Sequence, residues 1–176
     1  GYGGHQMLSA LENGRVDDAI DCAPTHVVFE ALPDHVARTA GLRSWDRHGP
    51  RYELTANGQV QRRGNFDDDE RSPAGWRYEF QWQLNKSHLH SWFRARAPKP
   101  TEADIQRYVA VVMAASRLVQ LKYPVARFSI LLWPMREAGP AYERIFERLH
   151  KEFTAIGLDV HTVDAILPGF LDHPAR

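Results

Sequence analysis

The chain holds one cysteine, Cys22, in 176 residues. A single thiol cannot close an intrachain disulfide, so the fold must rest on burial and hydrogen bonding, and the redox compartment stays open. An excess of one charge is also missing: 22 Lys+Arg face 22 Asp+Glu, a formal net charge of zero. Nucleic-acid and anionic-membrane binders draw affinity from a basic surplus, so neither partner is expected. No apolar run reaches the about 18 residues of a spanning helix, and no signal peptide is visible. Signature motifs are equally scarce. No Walker, HExxH or GxSxG phrase occurs, and the opening "GYGG" lacks the GxGxxG spacing of a dinucleotide loop. None of Ser9, Ser44, Ser72, Ser87, Ser91, Ser116 and Ser129 lies in a Gly-flanked elbow suited to a nucleophile. The acidic run Asp67, Asp68, Asp69 and Glu70 lacks the glycine of a calcium loop and reads as a solvated loop. His88 and His90 diverge by about 200° on a helix and cannot share a metal. No metal site is expected from these residues.

What is present is an ordinary globular composition, 43% hydrophobic and 25% charged, enough for one domain with a sizeable core over residues 1–176. Nine His and five Trp tilt it towards site chemistry or a sugar-contacting surface. Met7, Leu8 and Leu11 have helical spacing before the stop Asn13-Gly14. "THVVFEAL" (25–32) reads as a buried strand. It runs into "PDHVARTAG", a short helix with Pro33 in its first turn and Gly41 at its end. Asn57-Gly58 marks a tight hairpin turn around 51–64. Residues 76–96 have a helical apolar pattern, and the whole of about 45–97 reads as an insertion. Thr101 and Asp104 form a capping box for a helix ending at Tyr123-Pro124. A strand over 126–134, a helix opened by Gly139-Pro140 and stopped by Gly157, and a strand over 158–163 complete the chain. Strands separated by helices predict an α/β fold with a parallel sheet covered on both faces. In such sheets function gathers at the carboxyl ends of strands, here "LPDHVAR", "WPMRE" and "DAILPGFLDHP".

The order of "GYGGHQML", "THVVFEALPDHVAR", "GPRYEL…NG…RRGNF", "FSILLWP" and "DVHTVDAILPG" resembles the SGNH (GDSL-type) hydrolase superfamily, in a bacterial branch with an inserted β-hairpin. The similarity runs over most of the chain, with "GYGGHQML" and "PDHVAR" as its most specific phrases. It implies a flavodoxin-like three-layer α/β/α sandwich and hydrolysis of an acyl ester by a Ser-His-Asp triad without a cofactor. The substrate would be a small ester, a lipid or an acylated carbohydrate. The Gly-Asp-Ser nucleophile phrase has no match in these residues. The resemblance puts it on a strand upstream of Gly1, so the chain is expected to be a fragment that is marginal and inactive towards esters alone. Gly1 or Gly3 matches the oxyanion glycine. Asp34 or His35 stands where the family has its oxyanion asparagine. Tyr2 and Arg38 would contact substrate. Asp172 and His173 either form a degenerate acid-base pair or are coincidental, with the family's Asp-x-x-His phrase beyond Arg176; the missing last helix favours the second.

Two other readings stay open. One is a non-catalytic SGNH-like binding or assembly module with a decayed triad, suggested by the altered "LPDH" block and the adjacent Asp172 and His173. The other, a flavodoxin-like nucleotide or receiver domain, lacks a phosphate loop and an acidic cluster. Arg38 is as well explained by an ion pair with Asp34 or Glu30 as by substrate contact. His5 reads as a surface residue, and Cys22 has no nearby histidine to activate it. Compartment and oligomeric state are not legible.

Overall fold

The structure is a computed structural model that describes residues 3–46, 48–68 and 99–169. Ten elements follow in chain order: α1 (Gly4–Glu12), β1 (His26–Ala31), α2 (Asp34–Thr39), β2 (Pro50–Leu54), β3 (Val60–Asn65), α3 (Glu102–Lys122), β4 (Arg127–Leu132), α4 (Pro140–Ala155), β5 (Asp159–Thr162) and α5 (Val163–Ile166). The fold is α/β. Strands β1, β4 and β5 form a parallel sheet in that order, pairing Phe29 with Ile130 and Ile130 with Val160. Strands β2 and β3 form a separate antiparallel hairpin.

Local chemistry explains most boundaries. The Thr101 N–H donates to Asp104 Oδ2 at 2.8 Å while the Asp104 N–H donates to Thr101 Oγ1 at 3.3 Å, which satisfies two helix-end donors reciprocally. Gly41 and Gly157 end their helices at φ of +70° and +78°, a backbone region that a Cβ disfavours. The hairpin turn is longer than the tight Asn57-Gly58 turn expected. Thr55 and Gln59 close the loop, with the Thr55 N–H donating to the Gln59 carbonyl at 2.9 Å. Only Gly58 has positive φ there, at +75°. A two-residue I′ turn needs positive φ at both central residues, so Asn57 did not have to adopt it here.

The core lies on one face of the parallel sheet. Phe29 and Ala31, Phe128, Ile130 and Leu132 point to it from the strands. Tyr108, Val112, Ala115 and Val119 meet them from α3, and Leu149 and Phe153 from α4. Helices α3 and α4 share that face: the Tyr108 and Phe153 rings are 5.9 Å apart, and Arg148 bonds Glu102 at 2.6 Å. Each fully buried side chain of this size contributes about 1.5–3 kcal/mol relative to exposure. The alternate residues form the other face. Val28 is 64% exposed, Glu30, Asp159 and His161 are exposed, and Ser129 and Leu131 are half-buried. Strand β1 is therefore not the fully buried strand expected. Among the described residues it is an edge strand with one open face, and the sheet is covered on one side. The expected helix over 76–96 lies outside the described residues, as do Trp76, Trp82 and Trp92.

Candidate functional site

The separate "GYGG" and "PDHVAR" phrases meet at the last turn of the short helix that follows β1. Strand β1 delivers the chain to Leu32 and Pro33, and α2 starts at once with Asp34. Helix α1 packs against the same region through its first turn. A Cβ built on Gly4 would stand 3.0 Å from the Tyr108 ring, and one on Gly3 would stand 3.6 Å from Arg38 Cβ. The glycines let the α1 backbone sit closely on α2 and α3. The Gly3 N–H donates to Gln6 Oε1 at 3.1 Å, while the Gly3 carbonyl accepts from the Gln6 and Met7 N–H groups.

Beneath Gly3 lies a buried polar network that the sequence reading missed. His5 is fully buried, not on the surface. Its Nε2 is 2.7 Å from Asp46 Oδ2 and its Nδ1 is 3.3 Å from Thr39 Oγ1. Gln6 Nε2 donates to Asp46 Oδ1 at 2.8 Å, and the Phe66 ring stacks edge-on against the imidazole at 5.8 Å. Four segments are thereby joined: α1, the end of α2, the turn at Ser44–Asp46, and the residue after β3. A buried pair of this kind survives only when its remaining polar atoms are also satisfied, and Thr39 and Gln6 do that. The pair is separated by 41 positions, so no local spacing announces it. The only sequence sign is Gly-Gly immediately before His5, small residues that leave room for a ring.

On α2 the two candidate residues have different surroundings. Asp34 Oδ2 accepts from Arg38 Nε at 2.8 Å and Oδ1 from Arg43 Nε at 2.9 Å, and Arg43 Nη2 also reaches Tyr142 Oη at 2.7 Å. Burial pushes the Asp34 carboxyl up, but the bonds from Arg38 and Arg43 outweigh it and hold the group below the usual carboxylate range. His35 is 1% exposed, wedged between Phe29 at 6.0 Å and Tyr108 at 6.4 Å. Its Nδ1 accepts from the Leu32 N–H at 3.4 Å, and its Nε2 is buried without a partner, as is Tyr108 Oη. Desolvation, with Arg38 nearby, lowers its pKa to about 3, so the ring is neutral. The Arg38 guanidinium lies 4.7 Å over the ring of Trp45, which is 58% exposed.

The structure thus places Gly3 beside Arg38, and Arg38 on Asp34, while His35 turns into the core. Gly1, Tyr2, Asp172 and His173 lie outside the described residues. Among the described residues no group of three or more His, Cys, Asp or Glu is arranged to hold a metal, and no helix is long and apolar enough to cross a membrane. In comparisons with known proteins, no family model, no curated protein and no solved structure matches the chain.

Proposed function

We propose that the chain carries the oxyanion-stabilising part of an SGNH-type serine hydrolase acting on acyl esters. The observation that carries this reading is the packing of the Gly3 end of α1 against Arg38 of α2, the short helix that the "PDHVAR" phrase forms after β1. These are the two phrases that the resemblance pairs as an oxyanion hole. In the proposed reaction a serine outside these residues attacks the ester carbonyl. A histidine takes its proton, oriented by an aspartate, with Asp172 and His173 or a later Asp-x-x-His phrase in those roles. The carbonyl oxygen becomes an oxyanion near the Gly3 N–H. Collapse then expels the alcohol with the transferred proton, and water releases the acid from the acyl-serine.

Physical arguments support Gly3 in this role. The α1 N-terminus favours the developing negative charge. The Gly3 N–H now donates to a side chain, Gln6 Oε1, which an oxyanion would replace. Among the described residues β1 pairs on one edge only, and its other edge is where a preceding strand would pair, extending the sheet towards a flavodoxin-like three-layer sandwich.

One observation favours the non-catalytic reading. Asp34 is held by two arginines and the His35 ring is in the core, so neither side chain now offers a second donor to an oxyanion. Exposure of the intact gene product to a fluorophosphonate, with p-nitrophenyl acetate turnover measured in parallel, separates the two. Labelling and turnover that fall together on Gly3→Ala are expected; an unlabelled, inactive product would favour the binding module.

A further inference from the structure

We propose that Asn57 is a site of spontaneous covalent modification, closing a succinimide with the Gly58 nitrogen, and that Asn13, in an identical Asn-Gly pair, is protected by the fold. This stands independently of the hydrolase reading.

Asparagine is a thermolabile side chain. Its weak point is the following residue, whose backbone nitrogen can lose its proton to water and attack the asparagine Cγ. A glycine there leaves the nitrogen unshielded, because it carries no Cβ. The sequence holds two such pairs, Asn13-Gly14 and Asn57-Gly58. As sequence they are equivalent; in the fold they are not.

Asn57 lies at the tip of the β2–β3 hairpin, where Ala56, Asn57, Gly58 and Gln59 are all exposed. Nothing stands within 4 Å of a Cβ built on Gly58, so the space beside the attacking nitrogen is open. The Thr55 hydroxyl bonds Asn57 Oδ1. That donor sits on the oxygen where negative charge develops when Cγ is attacked. The tip itself is lightly held: the Gly58 N–H donates to the Thr55 carbonyl at 2.9 Å, and the Gln59 N–H to Thr55 Oγ1 at 3.1 Å. Exposed turn bonds of this kind open at low free energy.

Asn13 is exposed as well, yet it is fixed. Its Nδ2, the atom that must leave, donates to the Ser9 carbonyl at 2.7 Å and to Ser9 Oγ at 3.2 Å. Its backbone N–H donates to the same carbonyl at 3.1 Å. These bonds close the last turn of α1, whose Leu8 and Leu11 belong to the core. Bringing the Asn13 amide to the Gly14 nitrogen means turning it away from Ser9 and breaking them.

At Asn57 the Gly58 nitrogen bonds Cγ, the Cγ–Nδ2 bond breaks, and Nδ2 leaves as ammonia with a proton taken from water. Water then opens the ring at one of its two carbonyls. Attack at Cγ gives an aspartate at position 57. Attack at the main-chain carbonyl gives an isoaspartate, whose main chain runs through Cβ and Cγ. Either product adds a negative charge to the tip, and the second also lengthens the backbone between Thr55 and Gly58. The strands stay tied to α1 by Tyr52 Oη, which donates to Glu12 Oε2 at 2.5 Å, so the change is confined to the loop.

The test is to age the intact gene product at mildly alkaline pH, folded and in urea, then digest it and map the peptide masses. Isoaspartate is counted by methyl transfer from S-adenosylmethionine with an isoaspartate-directed methyltransferase. In the folded protein the peptide carrying Asn57 should gain the amide-to-acid mass difference together with isoaspartate. Asn13 should react about ten-fold more slowly, since its two side-chain bonds to Ser9 must break first. In urea the two rates should converge. Asn57→Gln should remove the signal at that position and leave Asn13 unchanged. Should Asn57→Gln fail to fold, the two-site comparison within the unsubstituted protein carries the same reading. Equal rates at the two sites in the folded protein, a faster Asn13, an Asn57 that reacts only in urea, or a gap that persists in urea would overturn the proposal.

Discussion

Replacing Gly3 with Ala isolates one steric contact. Gly3 has φ of −70° and ψ of 164°, extended backbone that alanine adopts without strain. The added Cβ, however, would lie 2.7 Å from His5 Cε1 and 2.9 Å from Nδ1. Something must shift, and the imidazole cannot swing away cheaply, because Asp46 at 2.7 Å and Thr39 at 3.3 Å hold it. Overpacking of this kind costs about 1–3 kcal/mol, and for a chain of this length each kcal/mol lowers Tm by about 2–4 °C. Urea denaturation of Gly3→Ala, His5→Ala and the double variant forms a double-mutant cycle. His5→Ala is itself destabilising, since Asp46 loses a buried partner. With the ring gone, Gly3→Ala should cost almost nothing further, giving a coupling of about 1–3 kcal/mol. Additive effects would refute the steric link between Gly3 and the His5–Asp46 pair.

Acidification acts through His35. The ring is neutral in the fold with a pKa of about 3, against 6.5 for the free side chain, so the unfolded chain binds the proton first. Its contribution is complete well above pH 6.5 and falls as pH drops through 6.5 towards 3. Between pH 7 and pH 5.5 about 1 kcal/mol should be lost in urea titrations, and His35→Phe should flatten that dependence. Tyr52→Phe removes a hydroxyl that donates to Glu12 Oε2 at 2.5 Å and ties the hairpin to α1; a loss of about 1–3 kcal/mol by denaturant titration is expected, and a neutral effect would contradict the anchoring role. Val28→Lys places a charge on the open face of edge strand β1. It should slow aggregation, followed by light scattering, with little change in the urea midpoint.

Features encoded within a few residues were legible in the sequence. The Thr101–Asp104 box and the glycine stops at Gly41 and Gly157 were readable because each depends on neighbours, and the parallel sheet followed from strands alternating with helices. The exposure of Val28 was not. A β-branched run reads alike at an edge and at a centre, and which it is depends on strand pairing elsewhere. The His5–Asp46 pair joins residues on different elements, and only tertiary packing turns a helix-start histidine inwards. His35 followed the same rule: in sequence it stands where the resemblance puts an oxyanion donor, whereas the first turn of α2 directs it between Phe29 and Tyr108.

The most direct measurement is fluorophosphonate labelling of the intact gene product, followed by mass-spectrometric location of the modified residue. A single labelled serine in a Gly-Asp-Ser phrase upstream of Gly1, with labelling lost on its replacement by alanine and weakened by Gly3→Ala, is the expected result. Absence of labelling, or a modified serine within residues 1–176, would contradict the assignment of Gly3 and α1 to the oxyanion side of a serine hydrolase.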